Sequence, residues 1–407
     1  MHFLKNLFAN HLSRELKELY LSAIILRFAL SALYIFEPIY FLKIGLSIGQ
    51  ILLYQAALYL LYFLLLPIGG KLARLHGYEH VMTWSSPFLI IYLVALFAMP
   101  YNQMFIILAL ISAVFYKSLY WPGFHADFAR FGQSHERGKE IGLLVAVLTS
   151  VGIFGPIFGG WIISIAGWQT LFVIIGSFIL FSSIPMLTTP EKFQPVDFSY
   201  QEAIREVFAK RNLRQSIAFI GYSEDLIFGI IWPIFIAAVI KNLFGVGALI
   251  SASTLVNILI ILLIGNFVDK HARLRIERFG SILTAFVWFG ASLIRNAAGV
   301  FIFDNLYRIS RNILGTSLMS IIYDEAKNSS VMKVMIFREM GLAFGKILGA
   351  LVALLVWTIF PNRLNLLFVL AGLFSLFYLL LKERVKPDGL TLPPIQPDVI
   401  VPINPKA

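Results

Sequence analysis

The sequence predicts an all-α integral membrane protein of twelve transmembrane helices, folded as two pseudo-symmetric six-helix bundles. Three observations predict it. The 407 residues are 59% hydrophobic and 14% charged, whereas a soluble domain carries about 25% charged residues. The apolar runs are long and lack period-2 alternation, so a β-barrel is excluded and helices of roughly 20 apolar residues remain. One long polar connection, 188–213, divides the runs into six and six.

The elements follow in order. Residues 1–17, "MHFLKNLFANHLSRELK", are too polar for a signal-peptide core and carry no small-residue cleavage site. Phe3, Leu4, Leu7 and Phe8 recur at helical spacing beside Lys5, which suits an N-terminal segment on the cytoplasmic membrane surface. The first bundle, 18–187, holds spans at 18–42, 50–69, 81–99, 102–126, 141–164 and 167–187. In the middle segment, 188–213, Pro190 and Pro195 open the connection. Phe198, Ala203, Val207 and Phe208 then form one apolar face of a surface helix. The second bundle, 214–382, holds spans at 215–240, 246–265, 279–298, 299–323, 332–358 and 362–381. The tail, 383–407, is rich in proline, has no apolar run and is expected to be a disordered cytoplasmic segment.

An even number of spans puts both termini on one side. The loops opposite the termini hold only Lys43, Lys241, Arg295 and Arg363 of the basic loop residues. The remaining lysines and arginines of the loops and tails gather on the termini's side, which is therefore predicted to be cytoplasmic. This asymmetry accounts for the net charge of +11 without nucleic acid. There is no cysteine, so disulfides and thiolate metal sites are absent. No Walker-type phosphate loop, H-E-x-x-H pair or Ser–His–acid set can be read, so neither ATP, a cofactor, a metal nor an enzymatic activity is predicted.

The two halves repeat. "FEPIYF" at 36–41 parallels "IWPIFI" at 231–236, and "LFVIIG" at 171–176 parallels "LFVLAG" at 367–372. "IGGKLARLHG" from Ile68 parallels "IGNFVDKHAR" from Ile264, and "GPIFG" at 155–159 parallels "GKILG" at 345–349. All four matches run in order at nearly one offset, as an internal six-helix repeat requires.

Twelve spans as six plus six, a polar middle loop and "GNFVDKHAR" together resemble the major facilitator superfamily over essentially 18–381. The family's loop between helices 2 and 3, repeated between 8 and 9, reads G-x-x-x-[D/E]-[R/K]-x-G-[R/K]. Gly265, Asp269, Lys270 and Arg273 match the second copy. Gly69 and Arg74 match the first, where Ala73 replaces the acid. The resemblance implies that these residues latch one end of the bundle shut in one conformation. "GIFGPIFGG" at 152–160 supplies Gly155, Pro156, Gly159 and Gly160, similar to the G-P-x-x-G-G of the family's drug:proton antiporters. These residues also permit a kink and tight helix packing without bearing on transport. "YWPGFHADFARF" at 120–131 resembles the family's fourth-span exit.

Charges within the spans cost ~2.5–3.5 kcal/mol each at mid-bilayer and mark functional candidates. The cations are Arg27, Lys117, Arg308, Arg311, Arg338 and Lys346; the acids are Glu37, Glu224, Asp225, Asp304 and Glu339. Arg27 and the Glu224–Asp225 pair lie at similar depth, about nine residues or ~14 Å from the cytoplasmic ends of spans 1 and 7. A cross-half pair of Arg27 with Glu224 or Asp225 is therefore expected. Asp304 and Arg308 can pair within one helix. Arg311 is then left as the repeat counterpart of Lys117, and two cations on a shared cavity would favour an anionic or polar solute. Lys346 replaces Pro156 in the repeat and is the leading contact for solute or a proton, because a buried lysine shifts its pKa readily. Glu37, before Pro38, is a proton carrier or a helix-bend acceptor; Arg338, Glu339, His125 and Asp127 read as structural. Against all of this stands mutual neutralisation of the same charges as plain structure.

The function predicted is a monomeric secondary transporter of the cell membrane. It would move a small organic solute by alternating access, coupled to protons, with export favoured by "GPIFGG". Uptake of a polar or anionic metabolite, or a transporter-shaped scaffold, sensor or lipid-modifying protein, are the alternatives.

Overall fold

Every described element of the computed structural model is helical. It describes residues 14–131, 137–185, 199–269, 273–327 and 331–381. Backbone alone is described at 14–17, 19, 126–131, 137–146, 202, 259–269, 273, 320, 323–327 and 331. The interfacial segment expected before residue 14 and the tail after 381 lie outside the described residues.

Among the described residues the helices make twelve crossings. Span 1 is Arg14–Tyr34 continued by Glu37–Lys43, with Pro38 in the first turn of the second piece, where its missing N–H costs nothing. Span 2 is Ile48–His76, opened by a capping box in which Ser47 and Gln50 satisfy each other's backbone amides. Spans 3 and 4 are Tyr78–Ala98 and Phe105–Phe131. Spans 5 and 6 share one helical run, Arg137–Ser183, broken only at Gly167, whose φ of 84° reverses the chain without a loop. A side chain there would be strained, so the hairpin depends on that glycine.

Span 7 is Leu213–Ala218, a 3₁₀ turn Phe219–Tyr222 and Ser223–Ile240. Spans 8 to 11 are Leu243–Asp269, Arg273–Ala291, Ala297–Lys327 and Val331–Ile359. Span 12 is Leu364–Ser375 with Leu376–Leu380 as 3₁₀ helix. Among the described residues seven stretches are long and apolar enough by themselves to cross a membrane. The others fall short for stated reasons. Span 6 is fused to span 5, span 8 counts only through the shorter apolar stretch Leu243–Ile258, span 10 carries Asp304, Arg308 and Arg311, and span 9 begins with Arg273, Arg275, Glu277 and Arg278. Span 12 is simply short. Leu53, Val94, Phe154, Val173, Phe286 and Leu355 are all exposed, a belt that suits lipid and not water.

The repeat read in the sequence is a repeat of packing. In the first half, a Cβ at Gly155 or Gly159 would collide with Ser31 and Ala32 of span 1. In the second half, a Cβ at Gly345 or Gly349 would collide with Phe219, Ile220 and Ser223 of span 7. Spans 5 and 11 thus lie against spans 1 and 7 through equivalent glycines, backbone on backbone, as tight packing in lipid favours.

The two halves meet along two seams. Span 2 follows span 11 from Gly49 beside Leu354 and Trp357, at the end away from the termini, to Gly70 beside Ile336 at the termini's end. Span 5 meets span 8 where Gly160 abuts Leu243 and Gly247 abuts Pro156. The middle connection forms the helix Tyr200–Phe208. It buries Ala203 and Val207 and sets the Phe208 ring against Phe63 of span 2 and Phe344 of span 11. Tyr200 donates to the Leu64 carbonyl at 3.1 Å. The apolar face expected of this helix therefore covers the outside of the span 2–span 11 seam; Phe198 lies outside the described residues.

Candidate functional site

Span 10 carries Asp304, Tyr307, Arg308 and Arg311 at helical spacings of three and four, so all four share one face. Asp304 is fully buried. It accepts from Arg308 Nε at 2.6 Å and from Trp232 Nε1 at 3.0 Å. The intrahelical pair read from the sequence is formed, with an indole N–H added. Glu224, also fully buried, accepts on Oε2 from Tyr307 Oη at 2.8 Å and from Trp288 Nε1 at 3.1 Å. Its Oε1 faces Arg311 Nε at 3.1 Å. The Arg311 guanidinium lies 4.5 Å from the Tyr222 ring centre and donates to Tyr378 Oη at 3.2 Å. Each carboxylate thus has one cation and at least one neutral donor, which is what a buried charge in a low-dielectric interior requires.

Two expectations are corrected here. Arg311 is not a free cation, because Glu224 neutralises it. The cross-half pair of Arg27 with Glu224 or Asp225 is not formed either. Asp225 is paired with Lys346 Nζ at 2.7 Å, within the second half. Similar depth along two helices says nothing of direction around their axes. Glu224 and Asp225 are neighbours in sequence yet point about 100° apart, one toward span 10 and the other toward span 11.

Lys346 does reach the other half. Its Nζ donates to Tyr59 Oη of span 2 at 3.3 Å and lies 5.0 Å from that ring's centre. Lys117 of span 4 lies 5.7 Å from the same ring. Tyr59 therefore stands between two lysines, one from each half. Asp225 and Gly229, one turn apart on span 7, face open space, the Asp225 side chain being 38% exposed. Across that space, Arg27 and Tyr34 are exposed two turns apart on span 1. Arg27 is beside Gly152 of span 5 and acts on Tyr120 of span 4.

Four pairs now account for most of the membrane-embedded charge: Arg308 with Asp304, Arg311 with Glu224, Lys346 with Asp225, and Arg338 with Glu339. All four lie in the second half. Arg27, Lys117 and Glu37 remain, all in the first half, and among the described residues none has an ion pair. Glu37 faces Tyr92, with Tyr54 and Tyr34 near it.

Nearer the termini's end, Arg338 and Glu339 are more than a local pair. Tyr62 of span 2 donates to Glu339 Oε2 at 3.0 Å, and His125 Nε2 of span 4 lies 3.4 Å from Glu339 Oε1. Arg338 also reaches Tyr222 Oη at 3.4 Å. The cluster ties the two halves together, a role the sequence reading did not give these residues. Of the latch residues, Gly69 packs on the Ser118 carbonyl and Arg74 is half-buried in the last turn of span 2. Lys270 lies outside the described residues, and of Gly265, Asp269 and Arg273 the backbone alone is described.

"GPIFGG" packs on both sides. Gly155 and Gly159 face span 1; Gly160 and Pro156 face span 8. Beside Pro156, Ser251 Oγ of span 8 donates to the Ile153 carbonyl at 2.5 Å and accepts from the Ile157 amide at 3.1 Å. A regular helix pairs that amide and that carbonyl with each other. A hydroxyl from one half is thus set into the backbone ladder of the other.

Sequence reasoning missed the neutral donors: Tyr59, Tyr62, Tyr307, Trp232 and Trp288. One signal was available. Tyr307 falls between Asp304 and Arg311 on the same helical face, and a buried tyrosine hydroxyl needs a partner. Among the described residues no cluster of His, Asp and Glu could hold a metal ion.

Comparison with known proteins bears on this architecture. Residues 19–223 match the model of the Major Facilitator Superfamily. The chain is 28% identical over 143 residues to the multi-drug resistance efflux pump PmrA of Streptococcus pneumoniae, in two strains. That match covers 35% of each protein, so the chain spans about a third of the length of these curated relatives. In fold it resembles a crystal structure of the nucleoside transporter NupG, with a TM-score of 0.70 at 14% identity, over 90% of this chain and 100% of that one. It also resembles a bacterial homologue of the human drug peptide transporters PepT1 and PepT2, with a TM-score of 0.65 at 12% identity, over 90% and 94% of the two chains. With about half its length under the family model and its twelve crossings on the fold of these structures, the chain belongs to the major facilitator superfamily.

Proposed function

We propose that the protein is a secondary active transporter that exports a small organic solute from the cell by alternating access, coupled to protons. It would work in the cell membrane as a monomer, with the termini and the basic loops in the cytoplasm. The observation that carries this reading is a polar contact between the halves on the span 2–span 11 seam. Tyr59 of one half lies between Lys117 of the same half and Lys346 of the other. A rigid scaffold has no need to maintain charged groups across two bundles in lipid, where each is costly. A site that alternates between two openings does.

Export is favoured by the "GPIFGG" pattern and by the likeness to an efflux pump. Proton coupling is assigned to carboxylates that can change partner. Asp225 is partly exposed beside Lys346, and Glu37 sits among tyrosines without an ion pair. The latch role of Gly69, Arg74, Gly265, Asp269, Lys270 and Arg273 belongs to the same reading, at the cytoplasmic end.

Because the chain has no cysteine, a pair of introduced cysteines at Gln50 and Thr358 can carry spin labels on spans 2 and 11 at the non-cytoplasmic end. Two interconverting distance populations, redistributed by an imposed proton gradient in proteoliposomes, are expected. One population under every gradient overturns alternating access. A second reading, uptake of a polar or anionic metabolite, is favoured by the cations Arg27 and Lys117, which have no ion pair among the described residues. Accumulation of solute in right-side-out vesicles, and not in everted ones, would select it.

A further inference from the structure

The charge left over after pairing is lopsided, and that asymmetry names a ligand class. We infer that the first-half wall of the central space, built by Arg27 and Lys117 over Tyr34, Tyr59 and Tyr120, is a binding site for an organic anion with an aromatic body. The inference rests on the transport reading for its purpose, but not for its geometry.

The argument begins with what is closed. In the second half every embedded cation has its own carboxylate, so that wall presents no net charge. In the first half Arg27 and Lys117 have no carboxylate within ion-pair reach among the described residues. Glu37, turned toward Tyr92 and Tyr54, acts on Lys117 only from beyond ion-pair distance, as does Asp225 of the other half. Whether Glu37 is ionised or protonated, the sum over that wall is positive. An arginine and a lysine held in a membrane protein without counter-charge are costly, and an anion arriving between them relieves both.

The second component is the ring surface. Arg27 acts on Tyr34 and Tyr120, and Lys117 lies 5.7 Å from the centre of Tyr59. Tyr34 is 39% exposed, a large flat surface facing open space. Gly152 opposite has nothing closer than Arg27 Nε at 4.0 Å, which leaves room beside the guanidinium. A planar aromatic body stacks on the exposed Tyr34 ring, while its carboxylate takes the paired N–H donors that a guanidinium offers. A cationic solute would meet two like charges instead.

The test uses three probes of nearly one shape: benzoate, benzamide and benzamidinium. Binding to the purified full chain in lipid nanodiscs is measured by saturation-transfer NMR, with empty nanodiscs as the reference for lipid partitioning. Benzoate is expected to bind at least tenfold more tightly than benzamide, and benzamidinium not at all. Arg27→Gln and Lys117→Gln each weaken benzoate by about ten- to a hundredfold, as loss of a charge-assisted bond does. Arg27→Lys recovers part of the loss, and Lys43→Gln, an exposed cation at the far end of span 1, changes nothing. Thermal unfolding curves accompany each variant. If Arg27→Gln fails to fold, the Lys117→Gln result and the ranking of the three probes on the native chain still decide.

Benzamidinium binding, equal binding of all three or binding of none overturns the site. The transport reading stands or falls elsewhere. Benzoate bound with a single spin-label distance removes transport and leaves the site; two distances without benzoate binding remove the site and leave transport.

Discussion

Replacing Glu224 by glutamine keeps the outline of the side chain and removes its charge. Its Oε1 is 3.1 Å from Arg311 Nε, and with an effective interior dielectric constant of about 20 the attraction removed is roughly 5 kcal/mol. Glutamine still offers an acceptor to Tyr307 and Trp288, so the loss falls on the ion pair. Arg311 is then buried without a counter-charge, a defect that costs about 3–5 kcal/mol. Arg311→Met leaves the opposite defect, an ionised Glu224 with only its two neutral donors. Removing both charges together removes both defects, so the double variant should cost much less than the two single variants summed, with a coupling of about 2 kcal/mol or more. The assay is unfolding of the full chain in mixed micelles by dodecyl sulfate, followed by tryptophan fluorescence. Trp288 donates to Glu224 at 3.1 Å, so its emission reports the site as well as the fold. If the single effects add to the double within about 0.5 kcal/mol, the two charges do not hold each other and the reasoning fails.

Lys346→Ala is expected to abolish solute movement in vesicles while the amount of folded protein stays near normal; unchanged rates would remove Lys346 from the site. Asp225→Asn frees Lys346 from its 2.7 Å partner, and solute movement should then proceed without accompanying proton flux, which a pH-sensitive dye inside the vesicles reads directly. Ser251→Ala deletes two hydrogen bonds at the span 5–span 8 seam. Polar contacts in membrane interiors average about 0.6 kcal/mol and reach about 1.7, so a fall of about 1 kcal/mol in unfolding free energy is expected, and none would mean the hydroxyl is a bystander. Glu277, at the charged start of span 9, is fully buried with neither carboxylate oxygen hydrogen-bonded. Glu277→Gln removes a charge that this site cannot solvate and should unfold no more easily than the native chain; a loss of more than about 1 kcal/mol in unfolding free energy would show that the carboxyl is held by a partner.

What could be read in the sequence was what varies along one dimension. The number of crossings follows from apolar length, and the glycines of "GPIFG" and "GKILG" mark equivalent close approaches because only the absence of a Cβ permits them. Asp304 with Arg308 was legible because helical spacing fixes the distance. The cross-half pair was not, since which way Glu224, Asp225 and Arg27 face depends on the packing of whole helices. Lys346 was singled out as the leading contact for solute or a proton; that Asp225 and Tyr59 both bind it was not legible. Apart from Tyr307, which shares a helical face with Asp304 and Arg311, the neutral donors had no pattern to betray them, because tyrosine and tryptophan are common in membrane helices for other reasons.

The Ser251 hydroxyl has one more implication. Withdrawing a helix from a hydrogen-bonded contact in hydrocarbon normally strands a donor and an acceptor with nothing to turn to. Here the two groups released, the Ile157 amide and the Ile153 carbonyl, are natural mates one turn apart in a single helix. Ser251 can likewise fold its hydroxyl back onto a carbonyl of its own helix, as Thr254 already does with Ile250 at 2.8 Å. Undoing this contact therefore orphans none of its three groups, and the stitch can be broken and remade without admitting water.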